Sequence, residues 1–459
     1  MHVIVLGAGL AGVTSAWYLR QAGHAVTVID RQPAAGLETS YANGGQISTS
    51  HPEPWANPGA PLQVLRWLGR EDAPLLFRPR LDWSQWAWGA RFLLECLPGR
   101  TRRNTAAIAR LAVFSRDCLR ALQKDTGIEY DRLQKGILHL FFTPHEFSRA
   151  GQRAALLHEF GIRAAVLDAR ACLGVEPALA DCRAGLAGGL FAPDDETGDA
   201  LLFTQKLAEL CRQAGVTFRY GTRIASLARG ESGIGGVRIF DAAGSSEQLR
   251  GDAYLVALGS HGTALARTLG ERLPIHPVKG YSVTLPLAAG AAAPLVSITD
   301  ESRRIVCSRL GNRLRIAGTA ELAGFDTAIA PARCMAILRR AAQVFPHPPP
   351  RREAGDLGRP PLTPPHRASP LHGHLGGGDT LVPPPRPPRR CEILGRPAPR
   401  HTRQCARHRP QPRRQPLLQH RPRHPRLDPG LRFRPGNRRH HRRQTAADRI
   451  PVLRSIMKK

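Results

Sequence analysis

Apolar positions along this chain recur with two different periods, and each switch between them marks an element. "VIVL" (Val3 to Leu6) is a short, unbroken, β-branched run of the kind shown by a strand buried on both faces. A helical stretch follows through Arg20 and ends at Gly23, and a second strand, "AVTVID", closes on Asp30. Residues 50–190 read as mainly helical, with "TAAIARLAVFSRDCLRALQKDTGI" (Thr105 to Ile128) carrying apolar residues at helical spacing. A further helix, Thr204 to Gly215, leads into the strand "VTFRYG"; "VRIF" and "AYLVALG" read as strands, the last ended by Gly259. "VKGYSVTL" and the hairpin "RRIVCSRLGNRLRIAG" predict an antiparallel sheet. The fold class is α/β: a Rossmann-like domain built from separated segments, an α+β second domain, and a C-terminal tract without periodicity.

That tract dominates the composition. The formal net charge is +30, but residues 347–459 hold 27 Lys+Arg against 6 Asp+Glu, and 23 of the 40 prolines. Such an Arg/Pro/His stretch cannot bury a core and is expected to be disordered. The first 346 residues keep 39 basic and 30 acidic residues, an ordinary globular balance. Nine cysteines occur without a CxxC pair, which suits a reducing compartment. Met1 leads straight into a strand without a basic leader, so no signal peptide is expected. The longest apolar candidate, "WAWGARFLLECL" (Trp86 to Leu97), is interrupted by Arg91 and Glu95 and falls short of the roughly 20 residues a span needs. It reads as an amphipathic helix, packed or interfacial.

Candidate chemistry sits at the first strand–helix turn. Gly7, Gly9 and Gly12 have G-x-G-x-x-G spacing, and Asp30 ends the second strand 18 residues after Gly12. Gly7 suits a tight turn, Gly9 a close backbone approach to a pyrophosphate, and Gly12 close helix–strand contact. The helix N-terminus offers N–H groups and positive dipole, and Asp30 can accept from a ribose hydroxyl. Strand, glycines, helix, strand and acid in this order predict a dinucleotide site. It comprises the strand Val3, Ile4, Val5 and Leu6, then Gly7, Ala8, Gly9, Leu10, Ala11 and Gly12, with Asp30. The polar, aperiodic stretch "RQPAAGLETSYANGGQIS" (Arg31 to Ser48) follows directly and suits contacts along an extended cofactor; a plain solvent loop is the alternative.

"GAGLAGVTSAWYL", "ETSYANGGQIS", "PWANPGAPL", "FAPDDETGDALLFTQKLAELCRQAGVTF", "GDAYLVALGS", "PIHPVKGYSVTLPL" and "RLRIAGTAELAGFD" resemble, in order, the small catalytic subunits of bacterial D-amino acid dehydrogenases. These are flavoproteins of the D-amino acid oxidase-like FAD-dependent superfamily. The resemblance covers about three quarters of the chain and fades near Phe345. It implies FAD as cofactor, with Arg31, Ser40, Asn43, Gly44, Gln46, Ala257 and Gly259 as further contacts, and Tyr281 as a candidate to face the substrate; a simply packed strand tyrosine is the alternative and the commoner case. It also implies an FAD domain from 1–50 and 190–265, a substrate domain mainly from 51–189 and 266–330, and a return toward the FAD domain from 331–346. The implied reaction is oxidation of a D-amino acid to a 2-oxo acid and ammonia, with electrons passed to a quinone or other respiratory acceptor. That places the chain in the cytoplasm, peripherally on the inner membrane's cytoplasmic face. No general base is singled out, because hydride loss requires only a neutral amine. A relative acting on glycine, sarcosine or proline is the alternative.

The resemblance also implies an arginine for the substrate carboxylate and a glycine-rich stretch beside the flavin after Phe345, and neither is present. Arg, Pro, His, Gln and Leu share CNN codons, so the tract suggests a GC-rich gene read out of frame. With permitted codons, His420 to Asp428 read one base later gives "TGHGTLGW", continuing as "TLACGSGQAI". Gly395 to Pro410 gives "AGLRPGTPDNVPVIG", and these strings look like the missing region in order. A frameshift soon after Phe345 is therefore expected. The tract could instead be a nucleic-acid arm, but such arms mix Lys with Arg, and here the only lysines are the last two residues; no nucleic-acid partner is expected. Cys391, His401, Cys405 and His408 match no standard metal spacing, so no metal site is expected either.

Overall fold

The computed structural model describes residues 1–346, except 72, 232 and 289–292, together with the strand Arg396–Pro399. A parallel sheet of four strands runs in the order Ala253–Val256, His2–Leu6, Ala25–Ile29 and Thr217–Arg219. Its first strand shows how a continuous apolar run serves two faces. Val3 and Val5 join a core with Val13 and Ala16 of helix Leu10–Gln21 and with Leu207 and Cys211 of helix Ala200–Gln213. Ile4 and Leu6 point the other way, onto Leu227, Val237 and Ile239 of a three-stranded antiparallel sheet. Burial on both faces is why "VIVL" has no polar alternation.

The second layer system is a nine-stranded mixed sheet. Its main path runs Arg396–Pro399, Pro277–Pro286, Arg313–Leu322, Ile305–Leu310, Ser297–Asp300, Ile137–Phe141, Gly188–Ala192 and Ala165–Asp168, and Leu75–Phe77 pairs beside Ala320–Leu322. The hairpin expected from "RRIVCSRLGNRLRIAG" is the pair Ile305–Leu310 and Arg313–Leu322. Residues 50–190 are less purely helical than their pattern predicts, because Ile137–Phe141 is a central strand with all five residues buried. Between Ser297–Asp300 on one edge and Gly188–Ala192 on the other, it turns no face to water, and its one polar residue, His139, is buried. Residues 331–346, read from sequence as the start of a return toward the FAD domain, carry the helix Pro331–Val344. Its Cys334, Ile337, Ala341 and Val344 pack against Tyr281, Ile316 and Cys307 of the large sheet.

Arg396–Pro399 is the described part of the tract expected to be disordered, and it pairs antiparallel with Pro277–Gly280 at the sheet edge. Prolines 397 and 399 lack the N–H that an inner strand would have to donate, which restricts them to such an edge. The residues Cys391, His401, Cys405 and His408 lie outside the described residues. Among the described residues no group of His, Cys, Asp and Glu could hold a metal ion, and no helix is long and apolar enough to cross a membrane.

Candidate FAD site

Three glycines shape the first turn, and each is required for a different reason. Gly7 has φ +111°, and a Cβ there would lie 2.6 Å from the Ala257 carbonyl oxygen. A Cβ on Gly12 would lie 1.8 Å from the Gly7 oxygen, so the helix can approach the strand only without a side chain. Gly9 differs: the nearest atom to its Cβ position is Ser40 Oγ at 3.9 Å. No protein atom demands a glycine there. The open space lies at the cap of helix Leu10–Gln21, where Gly9 has no side chain to cap the helix, Ser40 Oγ takes the Leu10 N–H, and no acidic residue stands in the first turn. A helix N-terminus with open space over its cap is what a pyrophosphate requires.

Asp30 stands beside this turn. Its carboxylate accepts from the Ala8 N–H at 2.6 Å and the Gln32 N–H at 2.8 Å. Burial raises its pKa against the opposing pull of those two amides. One acceptor position on each oxygen remains for a ribose hydroxyl. Arg31 donates to Glu38 at 2.6 Å and lies 2.9 Å from His261 Nε2, and His261 stacks on Phe325. Burial alone would raise the Glu38 pKa, but hydrogen bonds from Arg31 and Gln32 outweigh it and hold the carboxyl low.

The polar stretch after Asp30 proves to be a strap between the two sheet systems. At its start Ser40 Oγ accepts from the Leu10 N–H at 3.1 Å, at the helix N-terminus. At its far end it crosses the large sheet. Ser282 donates to the Ala42 carbonyl at 2.9 Å, Arg315 donates to the Asn43 carbonyl at 3.1 Å, and Gln46 donates to Ser297 and Thr299 at 2.9 and 3.0 Å. The Asn43 side chain accepts from the Gly45 N–H at 3.0 Å, and Gly44 lies over Val306 and Ala317. The strap has no periodicity because side chains distant in sequence satisfy its backbone. Ala257 returns beside Gly7 after strand Ala253–Val256, its N–H donating to the Leu6 carbonyl, and Gly259 follows two residues later with φ +53°. The structure thus brings the residues Val3–Gly12, Asp30, Arg31, Ser40 and Ala257 around one turn, whereas Asn43, Gly44 and Gln46 lie at the large sheet.

Tyr281 requires a correction. Its side chain is packed rather than open to a substrate: it is 2% exposed, and its hydroxyl donates to Glu321 at 2.5 Å. Glu321 also pairs with Arg78 at 2.5 Å and Lys279 at 3.3 Å, so the tyrosine completes a buried charge cluster. Sequence reasoning passed over Arg315. This residue lies on an inner strand, is 6% exposed, and has a buried Nε without a hydrogen-bond partner. Burial pushes its guanidinium pKa down. The available signal was alternation: in "RLRIA" Leu314 and Ile316 enter the core, which turns Arg315 and Ala317 toward the strap.

Next to the strap, a buried polar network fixes Ser48 to Ser50. Asp195 accepts from the Thr49 N–H at 2.8 Å, the Thr49 hydroxyl at 2.7 Å and the Ser50 hydroxyl at 2.6 Å. His139 Nε2 lies 2.7 Å from Ser50 Oγ, and its Nδ1 lies 2.8 Å from Glu301. Glu301 pairs in turn with Arg153 at 2.7 Å and Arg304 at 2.6 Å.

A dinucleotide-binding turn joined by a strap to a large mixed sheet defines a two-part nucleotide-dependent oxidoreductase fold. The chain belongs to the DAO family of FAD dependent oxidoreductases, whose family model matches residues 2–382. FAD is accordingly the cofactor, and the open Gly9 cradle fits its pyrophosphate. D-amino acid dehydrogenase from Dechloromonas aromatica is 54% identical over 346 residues, covering 75% of this chain and 83% of that protein. The enzyme of the same name from Methylobacterium radiotolerans is 49% identical over 346 residues, covering 75% and 82%. Among solved structures, glycine oxidase from Geobacillus kaustophilus matches with a TM-score of 0.55 at 22% identity, over 75% of this chain and 78% of that one. L-proline dehydrogenase from P. horikoshii matches with a TM-score of 0.56 at 14% identity, over 75% and 77%. At these identities the two structures speak for the fold alone.

Proposed function

We propose that the gene of this chain specifies an FAD-dependent D-amino acid dehydrogenase, oxidising substrates such as D-alanine to the 2-oxo acid and ammonia. The observation that carries this reading is the 54% identity to a D-amino acid dehydrogenase across 346 residues. Bound FAD supplies a two-electron acceptor for the hydride leaving the α-carbon. The chain's own residues hold it: the turn Gly7–Gly12 and helix N-terminus take the pyrophosphate, and Asp30 accepts from the ribose. The strap from Ser40 to Gln46 spans from that turn to the large sheet, which forms the substrate side. On this reading residues 1–50 and 190–265 make the FAD domain, and 51–189 with 266–330 make most of the substrate domain. Electrons leave to a quinone or respiratory acceptor, and the chain works peripherally on the cytoplasmic face of the inner membrane.

The charge-assisted partner for the substrate carboxylate belongs to the region lost after Phe345. Its absence costs about 2–3 kcal/mol or more of substrate binding. The chain as written therefore retains FAD weakly and turns over little or no substrate, whereas a frame-restored chain carries FAD and reduces an electron-accepting dye with D-alanine. The test is flavin content and D-alanine-dependent dye reduction of both chains. A restored chain that is silent with D-amino acids but active with glycine, sarcosine or proline would replace this substrate assignment.

A further inference from the structure

Helix Trp83–Glu95 presents apolar side chains on the wrong face for a protein that keeps to water. Its docked side is Gln85, Trp88, Phe92 and the following Cys96. Trp88 packs with Val278, Ala320 and Leu322, and Phe92 packs with Ala56 and Ala60. The opposite side carries Trp83, Trp86, Ala90 and Leu93, spaced 3, 4 and 3 residues apart as one helical stripe, with the exposed Leu94 beside it and the exposed Leu97 just past the helix end. Trp83 is 82% exposed and Leu81, just before the helix, is 109% exposed. Helix Ala60–Trp67 is held in the same small cluster by Ala60, and Leu62, Leu65 and, just beyond its end, Leu68 are exposed there.

The surrounding charge is in positive excess. Residues 60–111 contain nine arginines and four acidic residues, and Arg66, Arg91, Arg102 and Arg103 are exposed. Leu81 and Trp83 project into solvent. Projecting indole and leucyl groups amid arginines suit a fluid, anionic interface, where the apolar parts enter the acyl boundary and the guanidinium groups meet phosphates.

We propose that the face formed by Leu81, Trp83, Trp86, Leu93, Leu94 and Leu97 docks the protein on an anionic lipid bilayer. The proposal rests on the peripheral-membrane part of the function given above and is independent of the substrate assignment.

The test uses the full chain with vesicles of phosphatidylcholine and phosphatidylglycerol, with and without bromine on the acyl chains. Brominated vesicles quench tryptophan fluorescence in the wild type, and Trp83→Ser removes the share due to that indole, leaving the share due to Trp86. The double variant Leu93→Gln/Leu97→Gln binds vesicles about tenfold or more weakly, because each leucine forfeits part of its apolar transfer. Matching thermal transitions establish that these exposed substitutions leave the fold intact. Adsorption that high salt abolishes, with no bromine quench, would assign binding to the arginine-rich tract and overturn the face. Self-association without lipid, relieved by the double variant, would make the occupant a second copy and overturn it equally. No adsorption to any vesicle overturns both the face and the peripheral location. D-amino acid-dependent dye reduction of the frame-restored chain without lipid tests the substrate assignment separately.

Discussion

A methyl group on Gly12 would meet the Gly7 carbonyl at 1.8 Å, whereas one on Gly9 would meet only Ser40 Oγ at 3.9 Å. The two substitutions should therefore fail differently. Gly12→Ala forces helix Leu10–Gln21 off its strand and destabilises the fold by more than about 3 kcal/mol. Gly9→Ala leaves the apoprotein's melting temperature almost unchanged but lowers FAD affinity, by about tenfold or more. Thermal melts of the apoproteins and FAD titration of each variant separate the two outcomes. Equal loss of stability in both would mean that Gly9 serves the fold and not the cofactor. The spacing of these glycines was legible in the sequence because a turn is local. Tyr281 was not: whether a strand tyrosine faces a cavity or a carboxylate depends on Glu321, forty residues away and brought alongside only by sheet pairing. Arg315 was passed over for the same reason, since its partner is a carbonyl in a loop 272 positions earlier.

At the scale of elements, the strands and helices flanking the glycine turn were readable because each is bounded by its own punctuation. Ile137–Phe141 was not distinguished from its helical surroundings, since a fully buried strand has no alternation to betray it. This strand also carries His139, whose ring is buried between Ser50 and Glu301. Burial lowers the His139 pKa from 6.5, and the Arg153 charge lowers it further. Glu301 is also held well below its ordinary value: burial opposes this but loses to Arg153, His51 and His139. The signs agree. As pH falls through 6.5 the unfolded chain takes up a proton that the folded imidazole resists, so stability declines toward acid. The Glu301 contribution is lost in the same direction at lower pH. His139→Gln should flatten the dependence of melting temperature on pH between 7 and 5 relative to wild type. Parallel curves for the two proteins would show that His139 is not the titrating group. Because the network holds Ser48 to Ser50, just beyond the strap, FAD retention should weaken over the same acidic range in the wild type.

At the scale of the whole molecule, the division near Phe345 was visible in composition alone. The arginine, proline and histidine content changes there, and the 54% identical relative matches 346 residues of this chain but leaves 17% of its own length unmatched. Resequencing the gene between the codons for Ala341 and Pro360 should reveal an inserted or deleted base. Translation past it should give the "GLRP" and "HGTLGW" segments. A confirmed sequence without such a change would make the basic tract a genuine product and leave the choice between a decayed enzyme and a recruited arm.

The order of strands in the parallel sheet also sets a timetable. His2–Leu6 lies between Ala25–Ile29 and Ala253–Val256, so one of its edges must wait for a partner made some 250 positions later. At roughly 5–20 residues per second, that wait on the ribosome lasts about 10–50 seconds. Until then the nascent strand exposes an open edge of the kind that chaperones cover and neighbouring chains can capture. Once Val256 has emerged, however, all four strands of the cofactor sheet exist, some ninety codons before the change of character near Phe345. A change of reading frame after Phe345 would therefore leave every strand of this sheet unaltered in sequence. Its cost would fall on the parts of the molecule that the later codons specify.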